Sequence, residues 1–393
     1  MDRGFIRYLC LTHRVSHRSA PEWKRRFRCA SARARPEAAR LVDRPLESVD
    51  EGSAVPTGAF QPGRLRLARE LEDVSQADVA QRASVSPAAI SQFESGDSKP
   101  SEATLKLLAD VLSVPEQFLL MPLADTHEGF FRSLRKSSVS QRRRARALAH
   151  LVHDLAAEPL SALELAKPDV PRHPVDTLHP SSPKIAEAAR DIRSHWRVPR
   201  GPVDNVVKLL ETHGVLVLRL PLDSADVDAF SLPFADRPVV VLGADKNDRA
   251  RSRFDAAHEL GHLVMHGESV WGVKEVETQA HKFAAEFLMP AGDIRAELPA
   301  RADWGLLFAL KQRWHVSIAA LLMRAKDLDV MSPSAYTTAM KGLSARGWRR
   351  AEPVPLGSPE GPEITTRLLE VANTRAAWFP RPLLSALAET SDN

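Results

Sequence analysis

The chain has 393 residues, 44% hydrophobic and 26% charged, a balance that fits two or three globular domains and excludes a disordered or fibrous chain. No apolar run approaches the ~18 residues of a membrane-spanning helix, and the basic start MDRGFIRYLCLTHRVSHRSA lacks the apolar core of a secretory signal, so a cytoplasmic protein with no membrane partner is expected. Cys10 and Cys29 are the only cysteines, which excludes a disulfide framework and any Cys-rich zinc knuckle.

The formal charge of +4 hints at nucleic acid, but residues 1–60 hold 12 Lys+Arg against 7 Asp+Glu, leaving 42 against 43 for the rest. DNA binding must therefore rest on a local motif. Residues 1–59 are Arg-rich without a sustained period and read as a disordered basic tail, with a DNA-contacting arm as the alternative. Residues 60–122 contain closely spaced helical segments. Residues 123–180 combine the basic helical stretch SQRRRARALAHLVHDLAAEPLSAL with the Pro-rich KPDVPRHPVDTLHPSSP, read as a helical connector and linker. Over 181–330 the pattern turns to α+β. Helices are expected at KIAEAARDIRSHW and VDNVVKLLETHG, and strands at GVLVLRL, VDAFSLPF and PVVVLG. A long helix follows over about 248–266, then further helices to 329. Residues 331–393 form a C-terminal extension, read as packing rather than as a lid.

Within 60–122, Leu65, Leu71, Val79, Ala80, Ile90, Phe93, Leu105, Leu108 and Leu112 fall on the inward faces of four or five short helices. Ser75 with Asp78 forms a capping-box pattern. Ser86 with Pro87 starts a third helix, Gly96 ends it, and Ser101 caps a fourth. The short Ala83-Ser84-Val85 connection makes helices two and three cross steeply. This order, with SQADVAQRASVSPAAISQFESGDSKP at its centre, resembles the XRE/Cro–C1 repressor family, with Ser84 where that family usually has glycine. The resemblance implies an all-α, lambda-repressor-like domain on a double-stranded DNA operator. Gln76 would contact a phosphate or base edge, and Pro87, Ala88, Ser91 and Gln92 would enter the major groove. Gln92 would read adenine, and Ser86 belongs to the same face, though capping is its first role.

Farther on, His258 and His262 flank HExxH spacing in ARSRFDAAHELGHLVMH. On a helix both imidazoles share one face and can hold one zinc ion, and Glu259 beside them can serve as general base. The pattern needs a third ligand, for which Glu268, Glu275, Glu277, Glu286, His266 and His281 are available. The helical spacing in EVETQAHKFAAEFLMP favours Glu277, leaving a fourth position for water. His266 reads as a helix-end residue supporting the ligands, His281 as a packing or substrate-orienting group, and Gly261 as a point of close approach.

RFDAAHELGHLVMH followed by VETQAHKFAAEFLMP resembles the ImmA/IrrE metallopeptidase family, the likeness running from about 184 to 324. It implies an α+β zincin-like domain with Zn2+ on His258, His262 and Glu277, catalysis by Glu259, and limited cleavage of a repressor or antitoxin. The expected partners are thus an operator and a regulatory protein substrate, with a homodimer compatible. The alternative is a non-catalytic repressor whose zinc domain is a sensor or dimerisation module.

Overall fold

The computed structural model describes residues 58–126, 139–157, 165–176, 183–222, 229–266 and 274–375. The basic tail, except for residues 58 and 59, lies outside them, as do Glu268 and the end of the C-terminal extension.

The first domain is built from α1 (Pro62–Leu71), α2 (Gln76–Arg82), α3 (Pro87–Ser95) and α4 (Glu102–Val111), closed by a 3-10 turn at Glu116–Leu120. Each helix start is chemically marked. Ser75 and Asp78 bond reciprocally as a capping box at α2. Ser86 caps α3 with Pro87 at its first position, and Ser101 caps α4. Left-handed Gly96 ends α3. Every inward residue named from the sequence is buried. The sharp α2–α3 turn places Ser84 at φ 54, the left-handed conformation that glycine adopts at less steric cost.

Helix α5 (Val139–Ala157) joins this domain to the next. Its Leu148, Leu151, Val152 and Leu155 belong to one continuous core that includes α1 to α4 and one face of a three-stranded sheet. Inside that core Arg64 of α1 pairs with Asp154 of α5 and donates to the Met121 carbonyl at 3.1 Å. One residue earlier, His153 lies 2.8 Å from Asp236 and stacks on Phe234 at 3.9 Å. Burial pushes His150 down to about 3, with nearby Arg146 adding, so α5 presents a neutral imidazole there.

The sheet consists of β1 (Leu216–Leu220), β2 (Ala229–Leu232) and β3 (Val239–Gly243), ordered β1-β3-β2. β3 pairs parallel to β1 and antiparallel to β2. Period-two alternation turns Leu216, Leu218, Phe230, Leu232, Val239 and Val241 to the core shared with α5. Val217, Ala229, Val240 and Leu242 join a second core on the opposite face.

The second core is closed by α6 (Pro183–His195), α7 (Val206–Thr212), α8 (Arg249–Met265), α9 (Lys274–Leu288), the short α10 (Ala291–Ile294), α11 (Trp304–Trp314), α12 (Ile318–Asp327) and α13 (Pro333–Ala345). A last helix, α14 (Glu363–Arg375), contributes Leu368 to the first core. The Pro-rich stretch between Leu165 and Asp176 runs extended along this domain. The Asp169 amide donates to His213 O at 3.0 Å, the His173 amide to Val264 O at 2.8 Å, and Trp196 Nε1 to Asp169 O at 2.8 Å. Residues beyond 331 lock the domain through long-range carboxylates: Glu352 accepts from the Ile318 amide at 2.9 Å, and Glu360 from the Val206 amide at 2.7 Å. No helix among the described residues is long and apolar enough to cross a membrane.

Candidate metal centre and helix-turn-helix face

His258 and His262 lie one turn apart on α8, both buried, with their Nε2 atoms 3.0 Å from each other. α9 packs across α8 and brings Glu277 to them, Oε2 lying 3.4 Å from His258 Nε2 and Oε1 3.8 Å from His262 Nε2. Donors ~2.0–2.1 Å from one tetrahedral ion stand roughly 3.4 Å apart, so the donor set fits zinc. Among the described residues this trio alone gathers metal-ligating atoms so closely. The close approach depends on Gly261, where a Cβ would lie 3.0 Å from the Phe283 ring of α9.

The other candidates stand elsewhere. Glu286 pairs with Arg324 and lies 3.3 Å from Arg190, and Glu275 is outside the trio. His266, at the end of α8, supports His262. Gln279 Nε2 donates to the Asp176 carbonyl at 2.7 Å, which leaves Gln279 Oε1 as acceptor for His266 Nε2–H at 2.9 Å. His266 Nδ1 must then accept from His262 Nδ1–H, also at 2.9 Å. The chain of donors fixes His262 in the tautomer whose Nε2 lone pair faces Glu277 and His258, an arrangement typical of groups behind a metal ligand. Burial pushes His266 down to about 4 and holds His262 well below the ordinary imidazole range, neighbouring His258 adding to it. Both rings are therefore neutral, as ligation requires. His281 donates from Nδ1 to the Glu277 carbonyl at 2.8 Å and meets the His258 ring at 4.5 Å between centroids.

Glu259 is 3% exposed. Its Oε2 accepts from Ser231 Oγ at 2.7 Å. Burial lifts its carboxyl well above the usual range, Ser231 opposing, with the charges of Glu277 and Asp255 adding to the rise. Sequence reasoning did not single out Ser231. Its signal is period two, because it shares a face of β2 with Ala229 while Phe230 and Leu232 point to the other core.

On the first domain, Ser86, Pro87, Ala88, Ser91 and Gln92 are all exposed along α3. Ser86 Oγ is occupied by the Ala89 amide at 3.1 Å. Gln76 differs. It is half-buried and donates to Glu94 Oε2 at 2.8 Å, while Glu94 also receives two bonds from Arg69 at 2.6 and 2.9 Å. Gln76 thus ties α2 to α3, a role its position at the helix start does not announce.

Comparison with known families covers both regions. Residues 65–119 match the family described as Helix-turn-helix, and residues 210–326 match the IrrE N-terminal-like domain, a peptidase family. No curated protein matches the chain. This chain joins a DNA-binding helix-turn-helix domain of the XRE type to an IrrE N-terminal-like domain of the metallopeptidase class.

Proposed function

We propose that the protein is a transcriptional regulator whose second domain is a zinc endopeptidase cleaving a specific regulatory protein. The observation that carries this reading is Glu259, buried beside the two-histidine, one-glutamate set and held by Ser231. A site that only stored zinc for structure would need no carboxylate base there. His258, His262 and Glu277 would hold the ion, which when bound supplies Lewis acidity enough to make water a nucleophile near neutral pH. Glu259 accepts the proton of the attacking water and returns it to the leaving amine nitrogen. Its raised proton affinity suits both halves of that exchange. On the DNA side, Pro87, Ala88, Ser91 and Gln92 enter the major groove with Gln92 reading a base edge, and Ser86 and Gln76 set the start of α3 and its seam with α2.

Glu259→Gln keeps size and a hydrogen-bonding shape but removes the base. The variant should retain about one zinc per chain by elemental analysis and retain DNA binding. It should lose cleavage by a factor of ~10²–10⁴. The comparison is made in cells, where derepression of the controlled genes and fragments of the partner are followed in wild type and variant. Equal behaviour of the two would make proteolysis dispensable and turn the domain into a sensor or dimerisation module.

A further inference from the structure

Arg142, Arg143 and Arg144 open α5, and we propose that they clamp the phosphate backbone of the DNA that α3 enters. The proposal rests on the DNA-binding reading and deepens it. Protein–DNA affinity is dominated by cations set against phosphates, and the helix-turn-helix domain is short of them. Residues 60–122 hold 6 Lys+Arg against 9 Asp+Glu. Two of the six, Arg64 and Arg69, are buried in pairs with Asp154 and Glu94. The exposed α3 residues are uncharged from Pro87 to Phe93. This surface can read bases but has little with which to hold the backbone.

The missing charge stands next door. Ser140 Oγ is hydrogen-bonded to Asp73, two residues before the Ser75 cap of α2. Arg143 lies 3.8 Å from Glu70 on the last turn of α1. The first turns of α5 therefore flank the α1–α2 turn, beside the start of α2, the helix that crosses the DNA backbone in a helix-turn-helix. Arg143 and Arg144 are exposed there. Glu70 is already bonded to Arg66 at 3.0 Å, so it only partly offsets the cluster. Asp154, at the far, buried end, is the sole acid of α5.

The test uses the full chain and a random-sequence duplex of about 30 base pairs, roughly three helical turns. Binding is followed by fluorescence anisotropy across a salt series. Replacing Arg142, Arg143 and Arg144 together by Gln should lower the slope of log K against log salt by about 2–3, near 0.9 for each phosphate no longer neutralised. Replacing all three by Lys should keep the slope. Arg144→Gln alone should lower it by about one, which keeps the proposal testable if the triple Gln variant does not fold. A wild-type slope that persists in the folded Gln variants overturns the proposal and leaves the arginines as neutralisers of Glu70 and Asp73. A wild-type chain without salt-sensitive affinity overturns the DNA-binding reading itself, and this proposal with it.

Discussion

Burial raises the proton affinity of Glu259, the charges of Glu277 and Asp255 add to the rise, and a hydrogen bond to the carboxylate opposes it. Ser231 Oγ supplies such a bond and also fixes which carboxylate oxygen remains for the reaction. Under the peptidase reading, Ser231→Ala should keep zinc and slow cleavage roughly ten- to a hundredfold, since a hydrogen bond to a charged group contributes ~1.5–3 kcal/mol. A rate equal to wild type would reduce Ser231 to packing. The same scale governs Ser84, whose φ of 54 forces a Cβ into the left-handed region. Ser84→Gly should stabilise by about 0.5–1 kcal/mol, read as a higher urea midpoint and slower hydrogen exchange in α2 and α3. Lower stability in the variant would mean that the Ser side chain contributes more than the turn costs.

Among elements, three helices borrow their N-terminal acceptors from distant chain. Glu352 serves α12, Glu360 serves α7, and Glu211 serves α14 through the Glu363 and Ile364 amides at 3.0 and 2.9 Å. Caps within three residues, such as Ser75, Ser86 and Ser101, were legible in the sequence because donor and acceptor travel together. So were the i, i+4 histidines and the periodic face of α9 carrying Glu277. Glu211 and Glu360 were not, because no local pattern tells a carboxylate which helix, about 150 residues away, will present its amides. The His266–Gln279–Asp176 relay escaped for the same reason. Glu211 offers a test by pH. Burial pushes it up to about 7 from an ordinary 4.5, the α14 amides opposing and the Glu363 charge adding. Its folded value exceeds its unfolded one, so its stabilising contribution is full below about pH 4.5 and lost as pH rises through about 7. Glu211→Gln keeps an acceptor for α14 and removes the titration. The variant's melting temperature should gain on wild type between pH 5 and pH 8, and a difference that stays constant would refute the assignment.

At the scale of the whole molecule, α5 makes the two domains parts of one core rather than beads on a linker. The apolar side chains of α1 to α4, the inner face of α5 and one sheet face form a single cluster, and the Arg64–Asp154 pair sits within it. The opposite sheet face packs on α8, which carries His258 and His262. Such continuity predicts that the domains unfold together, so a ligand held by α8 and α9 should protect the DNA-binding helices that it never touches. Zinc at a thousandfold excess over its Kd stabilises by about 4 kcal/mol. That protection should appear in amide hydrogen exchange of α1 to α4 as well as of α8, and should vanish in both when His258 and His262 are replaced by Ala. Asp154→Ala leaves Arg64 buried without its partner, at a cost of about 3–5 kcal/mol, and that cost falls on the joint between the domains. In this variant zinc should still slow exchange in α8, while α1 to α4 become faster and insensitive to the metal. If α1 to α4 ignore zinc already in the wild type, the shared core does not couple the domains.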